Sequence, residues 1–314
     1  MEIRESVVED VALVDPIRRA VFPWHCASVA TQENWFRNNP PEGKPLRLSA
    51  LVDDRLVAFG AANLNVMAAN PGEGMLYLVV DPSFRGRGIA KALFDRLIEH
   101  AREIGAYRVQ SYAYDEPQTL EWAVRQGYEA GASERWSMVD PRALPPMPDI
   151  PPGVEIVSQE LLGPEKAHAV DVEAFLDEPG DVPNAGMPYE MYLNHIWNAP
   201  DFDREVSVAA MVDGIPVATT NLEVNRLTGR AMSSGTSTLP QYRGRGLAKL
   251  MKSVSLRRAA EKGVTGAYTC NDYTNAPMLA INDWLGYKVI GGTRSMLKTL
   301  ETSPITTTEG GLNR

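Results

Sequence analysis

The 314-residue sequence predicts a duplicated α+β fold, two similar domains that each carry a mixed, mostly antiparallel sheet flanked by helices. Three observations predict it. Pro82-Ser83-Phe84-Arg85-Gly86-Arg87-Gly88-Ile89-Ala90-Lys91 returns as Pro240-Gln241-Tyr242-Arg243-Gly244-Arg245-Gly246-Leu247-Ala248-Lys249, an offset of 158. A second landmark, Gln126-Gly127-Tyr128, returns as Leu285-Gly286-Tyr287 at an offset of 159, so two landmarks recur in register. Between the copies, residues 141–152 carry prolines whose fixed φ and missing N–H exclude a helix or central strand. The expected organisation is therefore domain 1–140, linker 141–153, domain 154–300 and a flexible tail 301–314.

The elements of the first copy follow in order. Residues 2–5 form a short strand, and 8–21 a helix with apolar spacing at Val11, Val14 and Ile17. Segments 48–52 and 56–64 flank the turn Asp53-Asp54, a hairpin signal. The continuous apolar run 76–80, closed by Asp81-Pro82, predicts a strand buried on both faces. A helix over 89–104 places Ile89, Leu93, Leu97 and Ile98 on one side and stops at Gly105. A strand at 107–112, a short helix at 120–126 and a final strand pair at 128–139 complete the copy. The second copy repeats this order: strand 154–157, helices 165–175 and 189–197, hairpin 206–212 and 215–224 around Asp213-Gly214, strand 231–239, helix 247–262, strand 266–270, helix 275–284 and strand 289–298.

Composition narrows the function. Forty acids against thirty-one bases leave a net charge of -9, a sign that repels phosphate backbones, so no nucleic-acid partner is expected. Two cysteines, Cys26 and Cys270, supply neither a disulfide framework nor a thiolate metal site, and no metal is expected. The acidic start is unlike a signal peptide, and no run approaches the ~20 apolar residues of a membrane span. The expectation is a cytoplasmic protein with no membrane partner, a monomer or homodimer.

The chemistry lies in the repeated Arg-Gly-Arg-Gly turn. A strand, a proline turn, Gly-Arg-Gly and then a helix expose consecutive backbone N–H groups at a helix N-terminus, an arrangement suited to a diphosphate. Lys91 and Lys249 stand where a dinucleotide fingerprint needs its third glycine, and the Gly-Lys-Ser/Thr of a nucleotide-triphosphatase loop is absent. A plain tight turn is the competing reading. Gln241-Tyr242-Arg243-Gly244-Arg245-Gly246 resembles the Gln/Arg-x-x-Gly-x-Gly/Ala signature of the GNAT superfamily of acyl-CoA-dependent N-acyltransferases, and the element order of both halves is similar to the GNAT fold.

That resemblance implies that acetyl-CoA is the acyl donor, its diphosphate held by the turn and its pantetheine arm lying along the preceding strand. By position, the implied cofactor-binding residues are Ser237, Thr238, Leu239, Arg243, Gly244, Arg245, Gly246, Leu247 and Ala248 in the second half. Their first-half counterparts are Leu78, Val79, Val80, Arg85, Gly86, Arg87, Gly88, Ile89 and Ala90. Ser83 replaces the signature's Gln/Arg, so the first half is expected to be degenerate or structural and the second catalytic. Asn275 matches the family's asparagine before the penultimate helix, a pantetheine contact by resemblance and an N-cap by its own chemistry. The family's proton-donating tyrosine is Asn282 here and Ala123 in the first half, leaving Tyr273, Tyr268 or solvent to protonate the departing thiolate.

An acceptor amine must also lose a proton before it attacks. Strand alternation sets Thr219, Asn221 and Glu223 on one face, and Glu223 is the candidate base; a solvated cross-strand residue is the alternative. Strand N–H groups before the turn would stabilise the oxyanion. The expected reaction is direct acetyl transfer to the amine of a small molecule such as a polyamine, an aminoglycoside-like compound, an amino acid derivative or an intermediate of secondary metabolism. A non-catalytic coenzyme A binding or interaction protein is the alternative, suggested by the missing tyrosine in both halves.

Overall fold

The computed structural model describes residues 1–176 and 178–300; the expected tail lies outside them. The first half runs β1 (Glu2–Glu5), α1 (Asp10–Val21), α2 (Val29–Arg37), β2 (Leu46–Val52), β3 (Arg55–Leu64), β4 (Glu73–Val80), α3 (Ile89–Glu103), β5 (Arg108–Tyr114), α4 (Pro117–Arg125) and β6 (Glu129–Val139). The second runs β7 (Val154–Ser158), α5 (Gln159–Leu162), α6 (Pro164–Phe175), α7 (Tyr189–Tyr192), β8 (Val208–Val212), β9 (Ile215–Asn225), β10 (Arg230–Thr238), α8 (Leu247–Glu261), β11 (Gly266–Asp272), α9 (Ala276–Leu285) and β12 (Lys288–Thr299). No helix or strand lies between β6 and β7.

The twelve strands of the described residues join one sheet in the order β1-β2-β3-β4-β5-β12-β6-β11-β10-β9-β8-β7. The last strand of each half has crossed over: β12 pairs with β5 of the first half, and β6 pairs with β11 of the second. The final strand pair expected at 128–139 is accordingly a single strand, because β12 fills the place beside β5 that a returning strand would take. β6 and β12 pair antiparallel with Glu134 opposite Thr293, Arg135 opposite Gly292 and Ser133 opposite Arg294. Residues 134 and 293 are each other's repeat equivalents at the 159 offset, so a local two-fold axis passes between them.

Each half builds its core around α3 or α8, and the exchanged strands add Met296, with Leu300 just past β12, to the first and Val139 to the second. Leu93, Leu97 and Ile98 of α3 are buried against β3 and β4, while Leu250, Met251 and Val254 of α8 pack on β8 and β9. α1 and α6 cover the opposite faces of their half-sheets. In both halves one parallel pair is short. β4 and β5 pair only from Glu73 to Met75, and β10 and β11 only from Arg230 to Met232, after which the strands diverge. The divergence opens a wedge in each half that runs toward its Arg-Gly-Arg-Gly turn. In β10 a bulge between Ser233 and Gly235 accompanies the opening.

Candidate active site

At the head of each wedge the turn forms an open nest. Gly86, Gly88, Gly244 and Gly246 all have φ between 76° and 78°, a conformation that favours glycine, and a Cβ on any of them would meet nothing within 4 Å. Gly88 and Gly246 are the N-caps of α3 and α8, whose first intrahelical N–H donors are Ala92 and Leu250. The three amides before each of these donors have no intrahelical acceptor and face the space above the nest. Arg87 and Arg245 turn back, donating to the carbonyls of Ser83 (3.4 Å) and Gln241 (3.2 Å) and lying over the rings of Phe84 and Tyr242.

The nests differ at their rims. In the first half Asp81 accepts from Ser83 N–H (2.9 Å) and Oγ (2.6 Å) and pairs with Arg55 at 2.7 Å. Although partial burial opposes it, bonding to Ser83 and Arg55 holds this carboxyl below its usual range, and an anion so close disfavours a second one. Leu239 occupies the equivalent position in the second half, and Arg243 Nε donates to Thr238 O at 3.1 Å.

The first wedge is a cavity of about 360 Å³ that takes in Leu78, Val79, Val80, Arg85, Gly86, Gly88, Ile89 and Ala90. The second, about 710 Å³, takes in Ser237, Thr238, Arg243, Gly244, Gly246, Leu247, Ala248 and Asn275. Of the expected contacts, Arg87, Leu239 and Arg245 are not among the lining residues. Asn275 caps α9 by accepting from Met278 N–H at 3.3 Å and also lines the cavity, so its two readings are compatible. Asn282 is buried, lines neither wedge and donates to Asn271 Oδ1 at 2.6 Å. Tyr273 is exposed, and Tyr268 lies beneath the Arg230 guanidinium.

One residue of the second wedge escaped the sequence reading. Lys252 of α8 is buried in its wall, with Nζ 3.1 Å from Ser233 Oγ at the bulge and 5.4 Å from the Tyr287 ring centre. Desolvation pushes its ammonium down to about 7. The same position in the first half is Phe94, packed on Trp122 and Tyr128, so a comparison of the two copies carried the signal.

Between the wedges lies a chamber of about 740 Å³ that draws walls from both halves. It meets the first wedge at Phe22, Leu76 and Tyr112 and the second at Cys270. Glu223 projects into it, and burial pushes its carboxyl up to about 7. Its two strand companions are occupied: Thr219 Oγ1 and Asn221 Nδ2 donate to the buried Asp171 at 2.6 and 2.9 Å. Glu134 was not anticipated, because only the strand exchange brings β6 to the chamber. Its carboxyl accepts from Thr293 Oγ1 at 2.6 Å, and burial raises its pKa. Cys26 and Cys270 are thiols raised by burial, Cys26 to about 12, so neither is an activated nucleophile.

Among the described residues no group of His, Cys, Asp and Glu is arranged to hold a metal ion, and no helix is long and apolar enough to cross a membrane. A family model described as the acetyltransferase (GNAT) family matches residues 11–128. No curated protein matches. Among solved structures, a GCN5-related N-acetyltransferase from Sphaerobacter thermophilus is 18% identical with a TM-score of 0.71, over 95% of each chain. A tandem GNAT protein from the clavulanic acid biosynthesis pathway is 19% identical with a TM-score of 0.72, over 96% of this chain and 99% of that one. A GCN5-related N-acetyltransferase from Kribbella flavida is 19% identical with a TM-score of 0.52, over 87% of this chain and 93% of that one.

Proposed function

We propose that the chain, whose residues 11–128 match the acetyltransferase (GNAT) family and whose fold is that of tandem GNAT proteins, is an N-acetyltransferase that moves an acetyl group from acetyl-CoA to a small-molecule amine, with the second half catalytic. The observation that carries the reading is the second wedge itself, whose nest has Leu239 where the first has Asp81, whose wall holds Lys252 at the bulge of β10, and which meets at Cys270 a chamber lined by two carboxylates. The nest amides and Arg243 would hold the diphosphate, and Ser237 and Thr238 would flank the pantetheine arm with Asn275. β10 amides at the bulge would stabilise the oxyanion.

Glu223 takes a proton from the acceptor ammonium, directly or through water, with Glu134 of the same chamber as a second acceptor. The amine nitrogen then bonds to the acyl carbon as the carbon–sulfur bond breaks. Lys252 replaces the missing tyrosine: a lysine that titrates near neutrality in the wedge wall can return a proton to the departing thiolate. The first nest, with Asp81 at its rim, serves as the degenerate partner.

The test is thiol release from acetyl-CoA across a panel of amines, with Gly244→Val as the control that blocks the second nest. Turnover that survives in Gly244→Val and is lost in Gly86→Val would transfer catalysis to the first half. The alternative, a non-catalytic coenzyme A binding protein, draws on the absence of a tyrosine at Ala123 and Asn282. Tight coenzyme A binding without thiol release for any amine would establish it.

A further inference from the structure

The chamber is unevenly charged. Glu134 of β6 lies beside Cys270, and Glu223 of β9 lies opposite Met232 of β10, both in the second half's sheet, while Arg18 of α1 and Arg47 of β2 enter the chamber wall from the first half. In a chain with forty acids, neither arginine makes an ion pair among the described residues. Arg18 donates to Gln32 and lies 5.1 and 5.4 Å from the Phe59 and Tyr77 ring centres. Asp15, one turn away, is committed to Arg19 at 2.7 Å and Gln32 at 2.6 Å. Arg47 sits 4.3 Å over the Phe36 ring.

Partly desolvated guanidiniums without a carboxylate are costly unless a ligand supplies one, and their planar forks match a carboxylate or phosphate in two-point contact. The wall between the two ends is aromatic, with Trp24 stacked on Trp136 at 4.9 Å. We propose that the acceptor is bipolar, an apolar or aromatic body with an amine at one end and a carboxylate or similar small oxyanion at the other. Arg18 and Arg47 hold the anion, and Glu134 and Glu223 receive the amine beside the second wedge. This rests on the acyltransferase reading and names its substrate class.

The test uses the full chain with saturating acetyl-CoA and a panel of ω-amino acids and apolar dipeptides, each paired with its own carboxamide. The acids should exceed their carboxamides at least tenfold in kcat/KM, chiefly through KM. Arg47→Gln and, separately, Arg18→Gln should bring that ratio toward one, whereas Arg37→Gln, on the exposed face of α2, should leave it intact. Carboxamides used as well as acids, or a ratio unmoved in both chamber variants, would overturn the proposal. If no amine releases thiol, the acyltransferase reading fails instead, and titration of the same pairs by tryptophan fluorescence still decides the inference. Preferential quenching by the acids, lost in Arg47→Gln, supports it, and equal quenching by acids and carboxamides refutes it.

Discussion

Glu223 and Lys252 carry opposite burdens from the same cause. Burial raises the one and lowers the other, and both arrive at about 7. As a base, Glu223 works deprotonated, so kcat/KM should climb with pH through that value. Glu223→Gln should lose on the order of 10²–10⁴ of it, together with that part of the pH dependence. A variant retaining the full wild-type profile would assign the base elsewhere, with Glu134 next in line. For Lys252 the folded chain sheds a proton that the unfolded chain keeps, between about 7 and the ordinary lysine range. Stability should therefore rise with pH across that window, and each tenfold difference in acidity is worth about 1.4 kcal/mol. Lys252→Met should flatten the rise and stabilise the protein at pH 6, as read by urea denaturation at pH 6 and 9. Glu223 was legible because strand alternation alone aims it. Glu134 was not, since nothing local tells a strand that its neighbour will come from the other half of the chain.

The strand–turn–helix unit was the most legible feature, because its backbone demands leave a direct trace in glycine spacing. Gly244 and Gly246 occupy left-handed φ, where an added Cβ costs about 1–2 kcal/mol and would enter the nest. Gly246→Ala should weaken coenzyme A binding in the second wedge at least tenfold, and Gly88→Ala should act only on the first. Calorimetric titration of both variants against the wild type separates the sites, and a variant whose isotherm matches the wild type would mark a nest that does not bind. Helix α3 was found by its apolar spacing, α8 as its repeat, and the hairpins by Asp53-Asp54 and Asp213-Gly214. The bulge in β10 left no such mark, as Ser233 to Gly235 reads as an ordinary polar stretch until its register against β9 is known.

At the scale of the whole molecule the duplication was visible, but the exchange of final strands was not. Repeats report likeness, whereas pairing depends on which edge is nearest once both halves have formed. Without β12, β5 is left with an unpaired edge, and without β6, β11 is exposed in the same way. Fragments 1–140 and 154–300 made separately should therefore fail to give folded monomers, yet recombine when refolded together. The intact chain should melt in one transition, and two resolved calorimetric peaks would contradict this. Exchanged strands also change what the proline-rich stretch is for. Once β6 and β12 are seated, residues 141–153 no longer hold the halves together. A protease nick there should leave a clasped pair of polypeptides that co-migrates as one particle and separates only in denaturant.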